Sequence, residues 1–176
     1  MITPVKYSNP KLHDKEVQTL QELIEALNWV DATFPIVRQG FSETGTYPEV
    51  YKNDGTKENI KVYPDTNTGC FCFFEMQGDA ICVDPEDTAY RYPLSVTFWM
   101  QLDKVNGAKA YDYTSEKIVL ITNLLKNAGC EDISYTTNPD EIFEKYSDLK
   151  PERLNFAQRT FSAFKINFSI IGVQCN

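Results

Sequence analysis

Apolar and polar positions along the chain change period several times, and each change marks an element. Val17, Leu20, Ile24 and Leu27 recur at steps of three and four, with Leu23 and Val30 beside them and Glu16, Gln18, Gln21, Glu22 and Glu25 filling the other side. A one-sided stripe of this kind predicts a helix laid on a core, beginning at Leu12 or His13 and running to about Trp29. Over residues 34–83 the pattern shortens into β runs divided by turn residues. Runs at 47–52 and 60–63 flank Asn53-Asp54-Gly55, which predicts a hairpin with a longer loop. Residues 69–76 read GCFCFFEM, as a strand buried on both faces does. Gly78-Asp79 then predicts a tight turn that pairs residues 70–76 with 80–83. Residues 93–102 alternate, with Leu94, Val96, Phe98 and Met100 on one face and Ser95, Thr97, Trp99 and Gln101 on the other, so a strand with one core face is expected. Trp99 on the polar side has two readings, cover beneath a helix or loop, or an interface anchor.

A loop at residues 105–109 precedes a second helix over 115–128, capped by Asp112 or Thr114 and carrying Ile118, Ile121, Leu124, Leu125 and Ala128, with Val119 and Leu120 widening the stripe. Gly129 stands where a left-handed terminating residue belongs. Asn138-Pro139-Asp140-Glu141 joins a cap residue, a first-turn proline and an acid at the third position, predicting a short helix to about Tyr146 or Ser147. A loop around Pro151 follows. The last element, residues 160–173, alternates again. Ser162, Phe164, Ile166, Phe168 and Ile170 form its core face, and Phe161, Ala163, Lys165, Asn167 and Ser169 the other. Such a strand is long against a typical five or six residues, long enough to extend past its own sheet.

These elements define the expected fold class: α+β, a mainly antiparallel sheet with two main helices packed on one face, plus a β-hairpin insertion. The whole of residues 1–176 reads as a single domain, with 46–83 the β-rich insertion and 138–153 a short helix and loop. A chain of 176 residues is large enough to bury a core without a covalent staple. The formal net charge of −8, with basic residues scattered singly, disfavours sequence-independent grip on nucleic acid, which depends on clustered cations. It leaves room for an acidic wall past which a duplex slides. The five cysteines, Cys70, Cys72, Cys82, Cys130 and Cys175, are odd in number and irregularly spaced, so they read as reduced and structural, with Cys70 and Cys72 pointing the same way from one strand. The N-terminal residues lack the build of a signal peptide, and no window approaches the length of a membrane span.

Candidate chemistry is sparse. His13 is the single histidine, so nucleophilic hydrolysis through a Cys–His or Ser–His pair would have to use it. No phosphate-binding glycine motif and no zinc-ligand spacing is present. Asp84, Glu86 and Asp87 share a polar loop that does not match a calcium loop; solvated charge is the expected reading and a weak cation site the next. Glu131 and Asp132 form another acidic pair. Neither a cofactor nor a metal is expected, nor an enzyme.

The order helix, β hairpins, long strand, helix, short helix, long terminal strand resembles the tail-terminator, tail-completion and neck ring proteins of bacteriophages. The likeness rests on residues 14–29, 93–102, 115–128 and 160–171, about half the chain, as layout and pattern without an invariant motif. It implies a non-catalytic virion protein, assembled in the host cytoplasm. Such a subunit forms a homo-oligomeric ring, commonly a hexamer, joins portal-side to tail-side proteins, and lets DNA pass through its lumen without sequence-specific binding. The 46–83 segment and the short third helix depart from that layout. The segment fits a contact arm, whose candidate interface residues are Tyr47, Tyr51 and Tyr63, with Trp99 on the sheet. A small-molecule or peptide-binding module with an aromatic cleft near Phe71, Phe73, Phe74 and Trp99 is the alternative, and an enzyme using paired carboxylates a third reading.

Overall fold

Helix α1 (His13–Glu25) is the first element of the computed structural model, which describes residues 13–51, 58–64, 67–84, 89–105, 114–150 and 161–173. The strands are β1 (Ala32–Ile36), β2 (Arg38–Phe41), β3 (Thr46–Tyr51), β4 (Asn59–Lys61), β5 (Cys70–Met76), β6 (Ile81–Asp84), β7 (Ala89–Gln101), β8 (Glu131–Thr136) and β9 (Phe161–Val173). The remaining helices are α2 (Leu102–Val105), α3 (Thr114–Asn127) and α4 (Pro139–Ile142), with a 3-10 turn at Ser147–Leu149. Together they make a mixed α/β fold whose main sheet is mostly antiparallel and whose two sizeable helices are α1 and α3. The expected turn at Asn53-Asp54-Gly55, most of the 105–109 loop, the cap at Asp112, Glu86 and Asp87, the loop around Pro151, and Cys175 lie outside the described residues.

The main sheet runs β1-β5-β7-β9-β8, with β6 also on β7; β2-β3-β4 form a second sheet. Only β1 and β5 pair in parallel among the described strands, so the three-stranded sheet is the crossover between those neighbours. Two cores result. One gathers Val17, Leu20 and Ile24 of α1 with Ile118, Ile121 and Leu125 of α3 against Cys72, Phe74, Val96, Phe98, Phe164 and Ile166. The other sets Phe71, Phe73, Trp99 and Ala163 of the main sheet against Val50, Val62, Ile142, Phe143 and Leu149. Cys70 through Phe74 are fully buried, as a strand with apolar side chains on both faces requires.

Three expectations are corrected. First, β5 does not fold back on residues 80–83: β6 pairs with β7 instead. Both β5 and β6 run antiparallel to the thirteen-residue β7, so they lie end to end along one of its edges. The break between them falls opposite Pro93, which has no amide hydrogen for the ladder but whose carbonyl accepts from the Gln77 amide at 2.9 Å. Second, Ser95, Thr97, Trp99 and Gln101 are as buried as the apolar face of β7, because the second core covers them. Ala163 and Lys165 of β9 are buried on that same side. Third, α1 ends at Glu25 and not at Trp29: the Leu27 amide bonds the carbonyl three residues back, tightening the last turn, and Trp29 packs on Phe98 with ring centroids 5.8 Å apart.

Local signals around α3 and α4 are realised in hydrogen bonds. Gly129 has φ 83°, its amide bonds Lys126 O at 3.0 Å and the Cys130 amide bonds Leu125 O at 3.0 Å, the paired closure of a helix end through a left-handed residue. At α4, Asn138 Oδ1 accepts from the Asp140 amide at 3.2 Å, and Asn138 Nδ2 donates to Glu141 Oε1 at 3.0 Å. Helix α4 stops at Ile142, short of Tyr146, and the chain re-coils as the 3-10 turn where a loop was expected.

Candidate interaction surface

Strand β3 and the end of β4 position two of the predicted tyrosines together. Lys61 Nζ lies 4.1 Å from the centroid of the Tyr47 ring and 4.7 Å from that of Tyr63, a cation between two π faces. Asp148 Oδ2 stands 3.5 Å from the same ammonium and accepts from Ser42 Oγ at 3.1 Å. Burial, then the Asp148 charge, raises the Tyr63 phenol above its ordinary pKa. Gly40 lies opposite Tyr47 in the β2–β3 ladder, where a Cβ would meet the Tyr47 ring at 2.6 Å; only a residue without a side chain lets that ring lie flat. The resulting cleft, about 420 Å³, is lined by Ser42, Thr44, Lys61, Tyr63 and Asp148. Tyr51 sits at the far end of β3, 40% exposed, and joins neither ring.

Trp99 takes the first of its two readings. It is 1% exposed and stacks on Phe71, centroids 5.5 Å apart, beneath the second layer, so it presents no surface to a partner. The imagined cleft near Phe71, Phe73, Phe74 and Trp99 is filled: Phe71, Phe73 and Trp99 belong to one core and Phe74 to the other, on opposite faces of the sheet.

Behind them lies a buried ionic cluster that sequence reading did not single out. In the cross-strand rows, Glu75 faces Ser95 and Lys165 faces Thr97, which puts acid and base diagonally across β7 on one face. Lys165 Nζ reaches Glu75 Oε2 at 2.9 Å, and Tyr146 OH donates to Glu75 Oε1 at 2.9 Å. Burial pushes the Tyr146 phenol far above its ordinary pKa, and the Glu75 charge adds to it, so this hydroxyl stays a donor. The cluster ties β5, β9 and the segment after α4 into one layer.

Elsewhere several residues of reactive type are engaged in contacts. His13 packs on Tyr92, centroids 4.9 Å apart, with Nε2 3.5 Å from Asp14 Oδ1. Glu131 and Asp132 are held by Arg91 at 3.0 and 3.5 Å. Cys70 and Cys72 share one core, and burial raises both thiols well above the ordinary value. Cys82 is exposed. Among the described residues no group of three or more His, Cys, Asp or Glu is placed to hold a metal, and no helix is long and apolar enough to cross a membrane.

The surface that stands out is apolar. Leu23 of α1 is 42% exposed, and Val119 and Leu120 of α3 are 59% and 43% exposed. With Leu27 and Leu124 they line a groove of about 670 Å³ between the two helices. A second groove, about 830 Å³, runs along the other flank of α3 and is lined by Ile118, Val119, Thr122, Lys126, Ile133 and Tyr135 among others. Tyr135 on the edge strand β8 is 62% exposed. Val119 and Asn123 line both grooves, one on either flank of α3. The sequence carried a signal for this surface: residues 118–121 are apolar without interruption, wider than a single buried stripe on a surface helix needs.

Compared with protein-family models, curated proteins and solved structures, the chain matches none.

Proposed function

We propose that the protein is a non-catalytic structural subunit of a phage virion neck or tail. In this reading it is a tail-completion or tail-terminator-like ring protein that assembles with itself, joins head to tail, and surrounds the DNA exit channel. The observation that carries the reading is the exposure of the large apolar side chains Leu23, Val119, Leu120 and Tyr135 on α1, α3 and β8, along the two grooves that flank α3. Exposed aliphatic and aromatic side chains gathered at one place are what a polypeptide partner covers. The order of elements on which the resemblance rests lends further support. In this reading α1 and α3 pack side by side on one face of the sheet, and of the 46–83 segment only β3, β4 and Tyr63 act as an arm, offering Tyr47, Tyr51 and Tyr63 to portal-side or tail-side neighbours, since β5 and β6 belong to the main sheet. The net charge of −8 suits a lumen that DNA traverses without sticking.

Native mass spectrometry at several concentrations tests this. A discrete ring-sized oligomer is the expected species. A monomer at every concentration, unchanged on adding neighbouring virion proteins, overturns the reading.

The groove of about 830 Å³ favours a second reading, a binding module for a small molecule or peptide, because its volume falls within the range of ligand sites. Saturable thermal stabilisation by a small ligand, in a chain that stays monomeric, would select that reading.

A further inference from the structure

Helices α1 and α3 lie antiparallel. Lys117, in the first turn of α3, sits over the ring of Trp29 just past the end of α1, with Nζ 4.8 Å from the centroid. At the opposite end Glu16, in the first turn of α1, acts on the Cys130 thiol just past the end of α3. Between the two helices runs the groove of about 670 Å³, with Leu23, Val119, Leu120 and Leu124 among its lining.

Charge marks both ends of this groove. Glu116 lines it at the start of α3 and is exposed. Glu16 precedes Leu23 by two helical turns, so both share one side of α1, and it too is exposed. Among the described residues neither carboxylate has an ion-pair or hydrogen-bond partner. No Lys or Arg is among the described residues lining the groove: Lys117 is turned onto Trp29, and Lys126 lines the groove on the other flank of α3.

We propose that this groove receives an amphipathic helix of another polypeptide, its apolar stripe on Leu23, Val119, Leu120 and Leu124 and a Lys or Arg near each end facing Glu116 and Glu16. This rests on the ring reading given above: it assigns the groove to a neighbouring virion protein and leaves the other flank of α3 for contact between copies. Two helices side by side leave a lengthwise furrow, the shape a third helix fills by packing its ridges there. Glu116 to Asn127 covers about 16 Å of α3, so the occupant spans about three turns and carries its two cations about eleven residues apart. A second copy fits this groove less well, because the same face would bring its own Glu16 and Glu116 and no lining cation to meet them. An anionic lipid surface is repelled by the same two carboxylates.

Binding of designed peptides to the full chain tests this. One labelled peptide has a leucine stripe and two lysines about eleven residues apart on a helix, and its twin carries glutamate at both lysine positions. The lysine peptide is expected to bind saturably, more weakly as salt rises, and the twin not to bind. Reversing the groove with Glu16→Lys and Glu116→Lys should weaken the lysine peptide about tenfold and let the twin bind. The two peptides on wild type give the answer even where the reversed chain folds poorly. Equal binding of both would show bare apolar adhesion and overturn the proposal, as would binding of neither or uptake of anionic vesicles in place of peptide. Native mass spectrometry of the same samples separates the groove from the ring. An oligomer that takes neither peptide loses the groove assignment and keeps the ring; a monomer that takes the lysine peptide alone keeps the helix partner and loses the ring.

Discussion

At the scale of single residues, the Glu75–Lys165 pair is the clearest case of a cost met by geometry. Two charges taken out of water are tolerated because Lys165 Nζ stands 2.9 Å from one carboxylate oxygen and Tyr146 OH donates to the other. Removing Glu75 leaves Lys165 buried without its partner, and removing Lys165 leaves Glu75 with only the Lys145 ammonium 3.9 Å from Oε1, losses that cost up to about 3–5 kcal/mol. Lys165→Met and Glu75→Gln should each lower the urea midpoint accordingly. The triple substitution Glu75→Leu, Lys165→Met, Tyr146→Phe, which leaves no orphan, should cost less than either. Equal midpoints for single variants and wild type would show that the pair is solvated. The thiols make a second prediction. Burial, then the Glu16 charge, raises Cys130 from the ordinary 9.0 to about 11, and burial raises Cys70 and Cys72 as well. Folded thiols thus hold protons that the unfolded chain releases near 9, so their contribution is complete below that pH and is lost as pH rises from 9.0 through about 11. Stability should be lower above that window than below it, and Cys130→Ala should shallow the slope. Maleimide should label Cys82 quickly and the three buried thiols only on unfolding.

Elements were legible where a residue's local preference and its tertiary place agree. Gly129 is such a point: its φ of 83° lies in the left-handed region that side chains resist, and nothing approaches within 4 Å of where a Cβ would stand. Gly129→Ala should therefore cost about 1 kcal/mol through backbone strain alone, read as a lower midpoint with unchanged spectra. An unaffected midpoint would mean the helix end relaxes. The Asn138 cap and the alternation of β9 were readable for the same reason, because their signals lie within one element. The partner of β6 was not readable. Gly78-Asp79 looks like a hairpin turn in sequence, but the competing edge of β7 is supplied by a strand long enough to take β5 and β6 in succession. Strand β8 escaped notice because Ile133 and Tyr135 give only two apolar steps of alternation. Trp99 misled because a polar-looking face of β7 says nothing about the layer that later covers it. The Glu75–Lys165 contact joins residues far apart in sequence and has no local signature at all.

At the scale of the whole molecule, the apolar surface of α1 and α3 separates stability from assembly. Val119 and Leu120 are 59% and 43% exposed, so replacing both by Glu removes little from the core and should leave thermal unfolding nearly unchanged. If the chain assembles as proposed, the same change should dissolve the oligomer in native mass spectrometry. Loss of folding together with assembly would mean that these side chains serve the monomer. The sheet order has a different consequence, one for biosynthesis. Strand β9 lies between β7 and β8, yet it follows both in the chain. While the ribosome is still delivering it, β7 lacks a neighbour on one side and β8 lacks its partner altogether, so protease resistance in the nascent polypeptide should arrive in a single late step, when that strand slots into the gap.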